Sequence, residues 1–220
     1  MATSGSQDWS LDASDVIEEA YERCGLEFRS GYDARTARRS MNLLFADWAN
    51  RGIKLWKMTK VELTLTDGTA NYTLGTDTVD VTDAAIQRDS TDYLIERISR
   101  NRYHSLPKKS TEGRPTQYYV DRQRAAPVVY LYPTPENSTD KLVYYKMERI
   151  EDIDASSNDP DIPYHFYPAL VSGLSYYLSV KKAPDRTQML KALYDEDMYR
   201  AEQTDRDDTN MRIVPRVARI

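Results

Sequence analysis

At 220 residues the chain suits one large domain or two small ones, and its 40% hydrophobic and 30% charged content is that of a folded protein, outside the regime of disorder. No stretch approaches the ~18 uncharged apolar residues of a membrane span, and the opening MATSGSQDWSLDASD lacks the basic and apolar regions of a signal peptide, so the sequence reads as cytosolic. A net charge of −5 argues against broad nucleic-acid affinity, which comes from neutralising phosphates with Lys and Arg, and the single Cys24 excludes an intrachain disulfide.

A first helix is expected at DVIEEAYERC, with Ser14 as N-cap, Asp15, Glu18 and Glu19 in its first turn, and Val16, Ile17, Ala20, Tyr21 and Cys24 on one face. Gly25 ends it. The second helix is predicted from Ala34 to Arg51, capped by Asp33 and ended by Gly52, with Ala37, Met41, Leu44 and Trp48 at helical spacing and Arg35, Arg38 and Arg39 exposed in its first half. From Trp56 the period changes to two: KVELTL is a strand, and Asp67-Gly68 reads as a hairpin turn into ANYTL. Further strands are expected at 77–82, 84–88, 93–98, 117–122, 128–132 and 142–147, a spacing that suits a small sandwich or barrel. The connectors SLPKKSTEGRP and YPTPENSTD are turn chemistry.

After the acidic loop EDIDASSNDPD the helical period returns, with Tyr167, Leu170, Val171, Leu174, Tyr177 and Leu178 on one stripe and Ala183-Pro184 at its end. Pro168 fits either the first turn of that helix or a lead-in turn that kinks into it. A last helix opens at Asp185, with Gln188 completing a capping-box-like pair, and carries Met189, Leu190, Leu193, Tyr194, Met198 and Ala201. Separate helix pairs would leave two apolar stripes without partners. The predicted fold is therefore α+β: a four-helix bundle of residues 1–55 and 162–208, an inserted antiparallel β-rich domain at 56–161, and an extended C-terminal tail at 209–220.

Signs of catalysis or cofactor binding are weak. His104 and His165 have neither a cysteine nor an acid at ligand spacing, and GLSY at Gly173 lacks the second glycine of a nucleophile elbow and falls mid-helix. The acids Glu151, Asp152, Asp154, Asp159 and Asp161 fail a calcium-loop template begun at Asp152, which puts Ser157 at the glycine position and Pro163 at the glutamate position, so they read as a solvated loop. Neither glycine-rich phosphate motif occurs. No cofactor and no metal site are expected, and no enzyme.

Seventeen tyrosines are the compositional oddity, paired at Tyr118-Tyr119, Tyr144-Tyr145 and Tyr176-Tyr177. A pair in a strand sends one ring inward and one outward, so outer rings are available to a packed interface or, alternatively, to a carbohydrate-binding, receptor-recognition module.

The order ARRSMNLLFADWANRGIKLW, KVELTLTDGTANYTL, RNRYHSLPKKSTEGRPTQYYVDRQRAAPVVYLYPTP and DIPYHFYPALVSGLSYYLSVKKAPD, over roughly Asp15 to Asp208, resembles the head-to-tail adaptors of short-tailed bacteriophages, the tail tubular protein A and tail accessory type. The resemblance implies a dodecameric ring of identical subunits, assembled in the host cytoplasm and seated in the virion between the portal protein and the tail nozzle. It also implies a helical bundle with a β-rich insertion; the acidic excess, if it faces the ring's lumen, is expected to let double-stranded DNA pass without specific binding.

The last twelve residues, TNMRIVPRVARI, contrast with what precedes them. They carry three arginines and no acid, leaving residues 1–208 at −8, with 27 basic against 35 acidic side chains. An apolar, basic segment after a terminated helix is expected to order on a partner, as an added strand or in a groove. Arg212, Ile213, Val214, Arg216, Val217, Arg219 and Ile220 are the candidate partner-binding residues, their arginines meeting carboxylates of the portal or of a neighbouring subunit.

Overall fold

The computed structural model describes residues 5, 11–29, 31–51 and 57–205. In chain order its elements are α1 (Ala13–Arg23), α2 (Gly31–Arg51), β1 (Met58–Thr64), β2 (Asn71–Thr73), β3 (Thr78–Arg88), β4 (Thr91–Leu94), β5 (Glu96–Arg97), α3 (Arg100–His104), β6 (Gln117–Asp121), β7 (Val128–Tyr132), β8 (Lys141–Glu148), α4 (Tyr167–Lys182) and α5 (Thr187–Thr204). Two compact units result, one from Met1–Ile53 with Asp152–Ile220 and one from Lys54–Glu151. Gly52 and the tail 209–220 lie outside the described residues.

In the helical unit, α1 is capped by Asp12 and not by Ser14: the Asp12 carboxylate accepts from the Asp15 amide at 2.9 Å. Ser14 falls inside the helix, where the Ala13 and Ser14 amides donate to the carbonyls of Asn158 and Ser156, both at 3.0 Å. The former acidic loop thus takes up two of the four amides that a helix start leaves open. The other end closes as the Gly25 signal predicts. Gly25 adopts φ +71°, its amide donates to Glu22 at 2.8 Å, and Leu26 donates to Tyr21 at 3.0 Å, the two bonds of a Schellman cap. Helix α2 begins at Gly31, earlier than expected, so Asp33 lies in its first turn and pairs with Lys182 instead of capping.

Helix α4 packs on α1, α2 and α5 and is buried on most of its circumference. Both readings of Pro168 hold together: a 3-10 turn at Tyr164–Phe166 leads in, and the proline occupies the first turn of α4, where an amide has no helical partner to lose. Small residues let the neighbours close in, and Ser172 and Ser175 satisfy their hydroxyls on the carbonyls of Pro168 (2.9 Å) and Val171 (2.6 Å). At Gly173 a Cβ would meet Leu44 Cδ2 and Tyr194 Cε2 at 2.9 Å, so this glycine sets how closely α2 and α5 approach α4. Trp48 fills the space beside it, tilted against Phe166 with ring centroids 5.5 Å apart, its indole N–H donating to the Tyr194 hydroxyl at 2.9 Å.

Two expectations for α5 fail. Asp185 belongs to a 3-10 turn at Pro184–Arg186, so no capping box forms; and Met189 and Leu193 stay 55% and 43% exposed while Leu190, Tyr194, Met198 and Ala201 are buried. Burial follows the narrower i, i+4, i+8, i+11 line because α4 is the main neighbour of α5.

The β-rich unit holds two four-stranded sheets, ordered β1-β8-β3-β4 and β2-β7-β6-β5, with every pairing antiparallel except β5 with β6. Its core draws Val81, Ile86 and Leu142 from one sheet and Tyr118, Val129 and Leu131 from the other, so the sheets pack as a sandwich. The expected hairpin at Asp67-Gly68 is absent. A two-residue hairpin turn requires positive φ at both positions in type I′ and at the first in type II′; here only the second, Gly68, has it, at +71°, and the chain crosses from β1 in one sheet to β2 in the other. The tight hairpin lies instead at Asp89-Ser90, with φ 49° and 61°, joining β3 to β4. Strands predicted separately at 77–82 and 84–88 are one strand, β3, whose pairing with β8 shifts register between Val81 and Ala84. The predicted strand at 93–98 divides into β4 and β5, and α3, unforeseen, is capped by Ser99.

One ion cluster joins the two sheets, and a second ties the end of β3 to the loop before β8. Asp80 on β3 accepts from Arg97 of β5 (2.9 and 3.1 Å) and pairs with Arg122, just beyond β6; burial pushes its carboxyl upward, but these arginine hydrogen bonds outweigh burial and hold it below the ordinary value. Arg88 meets the buried Asp140 in a forked pair at 2.7 and 2.9 Å and also reaches Glu136.

Candidate partner-binding surfaces

A cleft of about 800 Å³ in the helical unit runs between α1 and the start of α4. Its apolar lining holds the buried Val16 and Val171 and the exposed Pro168, Leu11 and Tyr164. Asp15, Glu18 and Glu22 line one side from successive turns of α1, exposed and without an ion-pair partner among the described residues; Glu19 is neutralised by Arg23 at 2.9 Å. His165 closes one end, its Nε2 buried without a hydrogen bond among the described residues and 3.9 Å from Asp205 Oδ1. An apolar lining beside three carboxylates favours a basic, apolar polypeptide and repels phosphate.

A second cleft, about 500 Å³, follows the opposite charge. Arg35, Arg38 and Arg39 of α2 line it with Tyr32, Asn42 and the loop residues Ile153 and Asp154. Arg38 donates to the Asp154 carbonyl, and Asn42 bonds both the amide (3.0 Å) and the carbonyl (3.2 Å) of Ile153. Burial, and then the nearby Arg39, push the Lys181 ammonium below its ordinary value, while Lys181 Nζ donates to Ser40 Oγ at 2.7 Å. Like charges gathered this closely suit an acidic surface.

The acidic loop 151–161 is not a simple solvated loop. Its backbone carbonyls hold the start of α1 and its Ile153 is buried under α2, a structural strap between two helices. Gly173 and Ser175 lie inside α4, where a nucleophile elbow has no turn to stand on.

In the β-rich unit the tyrosine pairs divide as strand geometry requires. Tyr118 and Tyr144 are buried, and Tyr145 is 45% exposed. The outer ring of the first pair, however, is not presented to a partner. Tyr119 stacks on Tyr103 of α3 (centroids 5.5 Å) and on Tyr130 of β7 (5.9 Å), beside a polar cleft of about 410 Å³ that includes Arg100, His104 and Asp121. Leu94, at the end of edge strand β4, is 88% exposed, and Arg114 covers the ring of Tyr93 at 3.8 Å.

The predicted site residues Arg212, Ile213, Val214, Arg216, Val217, Arg219 and Ile220 all lie outside the described residues. The residues missed from sequence are Asp15 and Glu18, read there only as favourable charges for a helix start, and Glu22, which was not singled out. Their i, i+3, i+7 spacing places them on one line of the helix, and that was the available signal.

The first cleft joins apolar side chains to an excess of acids and the second gathers three arginines, linings that suit contacts with other polypeptides, as in an assembly protein. A family model described as SU10 adaptor protein matches residues 3–218, and the chain belongs to that family of structural phage adaptors. No curated protein matches the chain. Membership supports a component of the virion that contacts other head or tail proteins, and among the described residues no helix is long and apolar enough to cross a membrane.

Proposed function

We propose that this protein is the head-to-tail adaptor of a short-tailed phage, without enzymatic activity or cofactor: one subunit of a dodecameric ring that joins the portal to the tail nozzle. The observation that carries this reading beyond family membership is the pair of clefts of opposite charge on one helical unit. A ring needs two different, complementary faces on each subunit, and Arg35 and Arg39 on one side with Asp15, Glu18 and Glu22 on another supply that asymmetry. In this reading the two helix pairs form one four-helix bundle from which the β-rich segment 56–161 is inserted. The tail 209–220, with Arg212, Ile213, Val214, Arg216, Val217, Arg219 and Ile220, docks on the portal. The −8 of residues 1–208 suits a ring wall past which DNA slides.

Co-sedimentation with purified portal rings tests the proposal. The full chain is expected to pellet with portal, and measurable binding of the isolated ring to duplex DNA at ordinary salt counts against the lumen reading.

A further inference from the structure

The cleft between α1 and α4 and the C-terminal segment are complementary, and we propose that residues 209–220 of the same chain occupy this cleft in the unassembled subunit. Three observations converge. The charges match: Asp15, Glu18 and Glu22 of the lining make no ion pair among the described residues, where the one arginine of the lining, Arg23, is paired with Glu19, and Arg212, Arg216 and Arg219 come without an acid in their twelve-residue segment. The apolar content matches as well, since Ile213, Val214, Val217 and Ile220 interleave with those arginines and the cleft's lining offers Leu11, Tyr164, Pro168 and Val171.

The third observation is position. Asp205, where the described chain ends, lies 3.9 Å from His165, which lines the cleft. Residues 206–208 are therefore the whole connection needed. At ~3.3 Å per extended residue they span about 10 Å, and α1 rises only about 10 Å from Asp15 to Glu22, so twelve more residues cover the rim with length to spare. So short a tether gives the segment an effective concentration on the order of millimolar at its own cleft, far above that of a second copy in dilute solution. Pro215 has no amide to give to a strand ladder. A groove between two helices asks for none. The cleft shelters the greasy tail until assembly offers a better partner; that release step rests on the adaptor reading, whereas the resting contact does not.

The test is a disulfide trap in the full-length chain carrying Glu18→Cys and Val217→Cys; native Cys24 is buried and takes no part. Mild oxidation at low protein concentration is expected to give an internal bond in a species of monomer mass, identified by mass spectrometry of the linked peptides. Adding Asp15→Arg and Glu22→Arg reverses two rim charges and is expected to slow bond formation about tenfold. Linked dimers in place of linked monomers would assign the cleft to a second copy and overturn the proposal. It is equally overturned by no bond at all, or by equal trapping when Glu18→Cys is exchanged for Glu196→Cys on α5. Ring formation on portal by the reduced protein is scored separately: a chain that traps internally yet forms no ring contradicts the adaptor reading alone.

Discussion

Gly173 has no side chain because two other helices already occupy the place where one would stand. Alanine there would gain about 1 kcal/mol of helix propensity but lose about 1–3 kcal/mol to overpacking against Leu44 and Tyr194, so Gly173→Ala is expected to destabilise the helical unit by roughly 1 kcal/mol in urea unfolding. The same neighbour, Tyr194, is buried, which pushes its hydroxyl up to about 12 and keeps it protonated to accept from Trp48. In the β-rich unit Asp80 behaves oppositely, its carboxyl held low against burial by Arg122 and Arg97. A carboxyl depressed in the folded state contributes stability that is present above the unfolded value near 3.9 and lost as pH falls through the folded one. Acid titration of the wild type should therefore show a stability loss below about pH 4 that is smaller in Asp80→Ala, itself expected to cost about 1–3 kcal/mol at neutral pH. At this scale the apolar stripes were legible: Ala37, Met41, Leu44 and Trp48 are all buried as their spacing predicts. The glycine contact and the Asp80 cluster were not, because each depends on residues distant in sequence.

Turns and straps show the next limit. Asp67-Gly68 carries the chemistry of a hairpin, and a turn does form, with Thr69 N donating to Thr66 O at 3.1 Å; what local sequence does not hold is the sheet into which the next strand goes. Asp89-Ser90 makes the tight hairpin without the glycine that usually marks one. The 151–161 loop drew attention for its carboxylates, yet its work is done by backbone carbonyls and by Ile153, for which side-chain composition gives no clue. Asn42→Ala removes both side-chain bonds to Ile153, and is expected to cost about 1–3 kcal/mol and to raise hydrogen exchange at the Ala13 and Ser14 amides that the same loop covers. Unchanged protection of those two amides would show that the strap holds α1 without Asn42.

For the whole molecule, composition and period change were enough to foresee a mixed α+β protein, and the order of segments was enough to suggest a phage adaptor, which the family match supports. The surfaces were less accessible. The arginines of α2 were seen as exposed, but the cleft of Asp15, Glu18 and Glu22 exists only because α4, some 150 residues later, lies against α1. The tail predicted to dock was read from charge and hydropathy alone. The buried core among the described residues runs from Ala13 to Ala201, so the chain without 209–220 is expected to fold and to keep an unfolding midpoint within a few degrees of the full chain. The most direct test of the adaptor account is electron microscopy of the protein mixed with purified portal rings, with and without those residues. The account predicts closed rings seated coaxially on the portal for the full chain and bare portals for the truncated one; lone subunits beside bare portals in both samples would contradict it.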